Sequence, residues 1–140
     1  MALRNIVKIG DPMLKKTSRP VEKFDERLSQ LIDDMKETMY EAQGCGLAAV
    51  QVGVLRRVVV VDVGDGFLEL VNPEIIYREG EQQAEEGCLS LLGGPRKTKR
   101  YEKIKVQYQT LDFQTRLKTY TGWTAQIIQH EIDHCNGVLI

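Results

Sequence analysis

Only two histidines occur in the 140 residues, and they stand four apart in His130-Glu131-Ile132-Asp133-His134. On an α-helix, positions i and i+4 share a face with Cβ atoms about 5–6 Å apart, so both imidazoles can close on one cation at about 2.0–2.1 Å. Glu131 would lie about 100° round the helix from His130, overhanging water at the ion's open position without ligating the ion. That is where a general base belongs. The plainer reading is a solvated helix face in which Glu131 and Asp133 serve solubility. It sits poorly with the neighbours Ile127, Ile128, Ile132 and Val138, which suggest a buried helix where unpaired imidazoles would be costly and ligation would remove the cost.

A catalytic ion usually takes three protein ligands and keeps one position open. Cys135 to Ile140 include no Glu, Asp or His, and Cys135 would point about 100° away from His134 on the same helix. The third ligand is therefore expected upstream, from Cys45, Cys88 or an acidic residue. Cys88 lies in Glu85-Glu86-Gly87-Cys88-Leu89-Ser90, where Gly87 permits close backbone approach and the acidic pair can order the ligands. A cysteine alone is more often a small buried thiol; the unmet coordination of the helix turns the balance toward ligation. A Cys/His/His set would bind Zn²⁺ or Fe²⁺ tetrahedrally and leave one position for water.

Gly44-Cys45-Gly46-Leu47-Ala48-Ala49-Val50-Gln51 superficially fits a dinucleotide-binding fingerprint. That fingerprint follows a strand and opens a helix; this segment follows a helix and leads through Arg56-Arg57 to a strand, so the context is reversed. The functional alternative is backbone freed to pass close to a ligand, with the Gln51 amide offered to a developing oxyanion. A helix stop followed by a buried turn is equally compatible.

The elements that must position these groups follow from periodicity. From Arg27 to Gln43, apolar residues at steps of three and four (Leu28, Leu31, Ile32, Met35, Met39, Ala42) predict one N-terminal amphipathic helix, capped by Asp25 and stopped by Gly44. Strands are expected at Arg57 to Val63, Leu68 to Val71, Ile75 to Ala84, Ile104 to Tyr108 and Leu117 to Tyr120. Thr121 would cap a helix from Gly122 to about Cys135, stopped by Asn136-Gly137. The order predicts an α+β fold, with antiparallel β-sheets packed around the C-terminal helix that carries the histidines. The first twenty residues read as a loop wrapping the outside.

At this length the chain is expected to be one domain, residues 1–140, around a single core. Nineteen basic against twenty acidic residues argue against direct nucleic-acid binding. The longest strictly aliphatic run, Val58 to Val61, is far too short to cross a bilayer. Arg4 and Lys8 interrupt any apolar leader, and three cysteines are too sparse for a disulfide framework. A cytoplasmic location is expected.

Three segments together, Gly44 to Gln51, Glu86-Gly87-Cys88-Leu89-Ser90 and Gln129 to His134, resemble the three signature motifs of the bacterial peptide deformylases. The resemblance runs from Lys8-Ile9-Gly10-Asp11-Pro12 to Gly137-Val138-Leu139, nearly the whole chain. It implies removal of the N-formyl group from formyl-methionyl N-termini of new polypeptides, releasing formate, on nascent chains near the ribosome. It implies Cys88, His130 and His134 as ligands of one divalent metal, typically Fe²⁺, with Zn²⁺, Ni²⁺ or Co²⁺ able to replace it. By the same resemblance Glu131 is the proton carrier, the Gln51 amide and the Leu89 N–H hold the oxyanion, and Gly46 pairs with the substrate backbone. Cys45, Trp123 and Ile127 would form the methionine pocket.

The chain departs from the family pattern at Leu92, where Pro is usual, at Pro95-Arg96, where a basic residue is common, and at Trp123 and Gln126 in the pocket wall. Those departures motivate an alternative, a catalytically weak, metal-containing protein that binds chain N-termini. A peptidase of the HExxH kind is disfavoured by its missing downstream ligand.

Overall fold

A computed structural model describes residues 3–90 and 96–138. The described residues fold as α+β, with two α-helices and one antiparallel sheet of five strands in the order β1-β2-β3-β4-β5. The strands are β1 Gly46–Ala48, β2 Val58–Val61, β3 Leu68–Glu86, β4 Arg96–Gln109 and β5 Thr115–Thr121, and the helices are α1 Glu26–Glu41 and α2 Gly122–Cys135. A single sheet thus replaces the several sheets expected. Among the described residues no helix is long and apolar enough to cross a membrane.

The four-valine run explains how the two helices are arranged. All of Val58 to Val61 are buried, because successive strand side chains face opposite ways and each face has its own helix. Val59 and Val61 join Ala125, Ile128 and Ile132 of α2; Val58 and Val60 join Leu28, Ile32, Met35 and Met39 of α1. The sheet therefore separates two apolar clusters, and α2, with its polar residues buried, sits inside one of them.

α1 is capped as expected, the Asp25 carboxylate accepting from the Leu28 N–H at 3.2 Å. Its end differs. The left-handed residue is Gln43, at φ 57°, and not Gly44. Gly44 is required for a different reason: a Cβ there would stand 2.7 Å from Leu89 Cδ1. Thr121 takes the cap position of α2 with extended backbone, but its side chain makes no capping bond.

The two expected strands Leu68 to Val71 and Ile75 to Ala84 are one strand, β3, with a shift in register between Val71 and Glu74. Asn72 absorbs the extra residue at φ 51°. Its amide is pinned, accepting from Val21 N at 2.7 Å and donating to Val21 O at 3.0 Å and Gln109 Oε1 at 2.7 Å. Strand β4 begins eight residues before Ile104. The extension is carried by charged side chains paired across the hairpin, such as Lys103 with Glu79 and Lys99 with Glu81, and has no hydrophobic alternation to announce it. The N-terminal segment is not only an outer wrap: it contains a 3₁₀ turn, Pro12–Lys15, that buries Leu14 completely.

Candidate metal centre

α2 presents His130, Glu131 and His134 on consecutive turns inside the core, each nearly inaccessible to solvent. Cys88 comes to them on the segment that leaves β3. His134 Nε2 lies 3.3 Å from Cys88 Sγ and 3.2 Å from His130 Nε2. Among the described residues this is the one group of three donor atoms gathered within 4.8 Å of one another. Tetrahedral ligands at ordinary zinc distances stand roughly 3.3–3.6 Å apart, so both separations from His134 are within a few tenths of an ångström of what one cation requires.

The electrostatics point the same way. Burial pulls both imidazoles down, but for His130 the hydrogen bond to Cys88 and the charges of Glu131 and Glu86 reverse the sign and carry it up to about 10. His134, buried beside that positive ring and Arg100, drops to about 3. The two rings are thus pushed in opposite directions, His130 up and His134 down. A divalent ion in the same place would satisfy both Nε2 lone pairs and the sulfur together, so the donor set fits a metal of the zinc or iron kind.

Glu86 fixes the presentation of His130. Its Oε1 lies 2.9 Å from His130 Nδ1; Nδ1 is the donor to this carboxylate, which leaves Nε2 to face the cluster. Burial alone would raise Glu86, yet the hydrogen bonds from His130 and Arg100 overcome it and hold the carboxyl below its usual range. Arg100 grips Glu86 through Nε at 2.9 and 3.1 Å and Nη2 at 2.7 Å, and reaches Asp133 through Nη1 at 2.9 Å. Of the acidic pair only Glu86 orders a ligand, Glu85 being exposed, and Arg100 carries no sequence motif of its own. Its only signal is parity, since residues 100, 104 and 106 share one strand face and Ile104 and Val106 are core.

We expect Arg100→Met to strand a buried carboxylate. The variant should unfold several kcal/mol more easily, about 3–5 for a broken buried pair, and bind metal about 10–100-fold more weakly. Thermal melts and competition with a chelator would check both.

Glu131 projects toward β1. Burial pushes its carboxyl up to about 7, and its Oε1 has no hydrogen-bond partner. A Cβ on Gly46 would meet Glu131 Oε2 at 2.7 Å and Ile127 Cγ2 at 2.8 Å. The strand and the carboxylate are thus in contact only because residue 46 has no side chain. Gly46→Ala should displace Glu131 and lower turnover by at least about tenfold with metal content unchanged, measured as kcat beside elemental analysis.

Gln51 sits at the end of a second 3₁₀ turn, Ala49–Val52, which continues β1. Its Oε1 accepts from Ala48 N at 2.9 Å, which turns its Nε2 toward Ser90 Oγ at 3.1 Å and Cys88 Sγ at 3.6 Å. Leu89 packs its side chain over Gly44. β1 is paired only with β2 among the named strands, so its other edge is open beside Glu131.

Cys45 precedes that edge, half-buried and outside the three-donor group, its thiol raised by burial and by the charges of Asp62 and Glu131. Ile127 touches the glycine edge, whereas Trp123, two helical turns before His130, is 55% exposed. The Gln126 amide donates to Glu85 O at 3.4 Å, tying α2 to the Cys88 segment. The departures at Leu92 and Pro95 lie outside the described residues, and of Arg96 only the strand pairing is described.

Comparison with known proteins gives this arrangement a family. The model of the polypeptide deformylase family matches residues 3–140. A peptide deformylase of Caldanaerobacter subterraneus subsp. tengcongensis is 52% identical, over 99% of this chain and 87% of that protein, and one from Thermoanaerobacter pseudethanolicus is 49% identical, over 99% and 87%. Among solved structures, the peptide deformylase of Thermotoga maritima superposes with a TM-score of 0.95 at 44% identity, covering 98% of this chain and 94% of that one. The actinonin-bound class I type b enzyme of Acinetobacter baumannii gives 0.93 at 36%, covering 99% and 96%. The chain belongs to the polypeptide deformylase family, the metal-dependent hydrolases that remove the N-formyl group from nascent peptides.

Proposed function

We propose that residues 1–140 form a single catalytic domain in which Cys88, His130 and His134 would hold one divalent ion, Fe²⁺ by family habit, with Zn²⁺, Ni²⁺ or Co²⁺ as substitutes. When bound, such an ion supplies Lewis acidity and lowers the pKa of water at its open position. The rest of the chemistry belongs to the chain. Glu131 takes the proton of the attacking water as oxygen adds to the formyl carbon, and returns it to the amine nitrogen as the C–N bond breaks and formate leaves. Gln51 Nε2 and the Leu89 N–H donate to the oxygen on which negative charge develops. Gly46 pairs its backbone with the extended peptide along the open edge of β1, while Cys45, Ile127 and Trp123 border the methionine side chain.

One observation carries this reading: a buried carboxylate with an unpartnered oxygen, on the same helix as the two histidines of the three-donor cluster. A protein retaining the cluster only to bind chain N-termini has no use for that costly group. The substrate is the N-formyl-methionyl end of a nascent chain, met in the cytoplasm near the ribosome. An anaerobic assay of formate release from a formyl-Met peptide, with metal measured on the same sample, tests the reading. Stoichiometric metal with formate release supports it; tight peptide binding without formate favours the binding protein.

A further inference from the structure

Three consecutive residues of the N-terminal segment address the two stretches that carry the proposed oxyanion donors. Val7 N donates to Gln51 O at 2.7 Å, Lys8 Nζ to Leu89 O at 2.8 Å and Ile9 N to Ser90 O at 2.7 Å. Ser90 Oγ in turn accepts from Gln51 Nε2, so the three residues stitch both stretches into one unit. The segment is anchored at both ends. Arg4 holds Asp34 of α1 through Nε at 3.0 Å and Nη2 at 2.9 Å, and its N–H reaches Thr38 Oγ1 at 3.0 Å. Beyond the 3₁₀ turn, Ser18 N donates to Cys135 O at the end of α2 at 2.7 Å.

We propose that Lys8 is a positioning residue for the reaction: its ammonium fixes the Leu89 carbonyl and with it the Leu89–Ser90 peptide plane, which restrains Leu89 from the side that follows its N–H. This rests on the reading of Gln51 and Leu89 as oxyanion donors. The charge suits the task. An ammonium hydrogen bond to a carbonyl is stronger than a neutral one. Val7 and Ile9 act through backbone N–H groups, which only proline would remove, at the cost of a fixed φ. Lys8 is the one member of the trio whose contact can be deleted by changing its side chain alone.

Removing a direct oxyanion donor costs about 10²–10³-fold in kcat; releasing a donor from its support should cost less. We expect Lys8→Met, metal-loaded, to lose about tenfold in kcat with KM within about twofold and metal content and Tm unchanged, because Lys8 is exposed. Lys8→Arg, which keeps the cation, should recover most of the rate. An unchanged kcat in Lys8→Met, or a loss carried by KM or by missing metal, overturns the proposal. A parallel Gln51→Leu variant separates the two layers. If it loses about 100-fold while Lys8→Met loses nothing, the donors stand and Lys8 is idle; if Gln51→Leu itself keeps full kcat, the oxyanion reading fails.

Discussion

Replacing Glu131 with Gln leaves a folded, metal-loaded protein whose formate release falls by about 10²–10⁴-fold, the usual contribution of one positioned proton carrier. The amide has nearly the same shape, so contact with the Gly46 edge is kept, but it accepts no proton from water. Stability is expected to move the other way. In the native protein Glu131 is buried with Oε1 unpartnered, and burial pushes its carboxyl up to about 7. Carrying that charge costs folding energy that a neutral amide does not, so the Tm of Glu131→Gln should equal or exceed that of the native chain.

The pH profile provides a second check. A base must be deprotonated to act, so the native rate falls on acidification as Glu131 is protonated, and a cation nearby moves that limb below the metal-free value. The residual rate of Glu131→Gln should lack the limb. Normal turnover in this variant contradicts the role assigned to the residue.

Cys88→Ala is expected to lose both the ion and the activity. A metal-bound cysteine brings a negative charge that neither imidazole can supply, and the two histidines left behind are too few to hold a catalytic ion. The fold should persist, because the two apolar clusters on either side of the sheet do not depend on the site. What disappears is the stabilisation that metal gives by binding only the native state, about 4 kcal/mol at a thousand dissociation constants of free ion. For a chain of this size that is on the order of 10 °C in Tm. The native protein should therefore melt higher with metal than after chelation, and Cys88→Ala should show no such gap. A variant that still binds one equivalent of metal and releases formate would remove Cys88 from the site.

Where one physical signal dominated, the amino-acid order disclosed the structure. The steps of three and four from Arg27 to Gln43 and the isoleucines around His130 marked one amphipathic and one buried helix, because burial selects apolar residues at a fixed spacing. The gathering of Cys88, His130 and His134 was legible for a chemical reason, since cysteine and histidine are the usual ligands of such metals and this chain has three of the one and two of the other. The long hairpin was not, because Glu79, Glu81, Lys99 and Lys103 pair in solvent and follow no apolar alternation. β1 has three residues, too few to show a period. Arg100 and Lys8 resemble any surface cation by type. Only the fold reveals that one is buried on Glu86 and the other reaches the Leu89 carbonyl.

X-ray absorption at the zinc edge of the zinc-loaded protein reads the donor set most directly. One sulfur at about 2.3 Å, two imidazole nitrogens at about 2.0–2.1 Å and one further light atom in the remaining position are expected. A shell with no sulfur, with two sulfurs, or with that remaining position filled by another side chain would contradict that expectation.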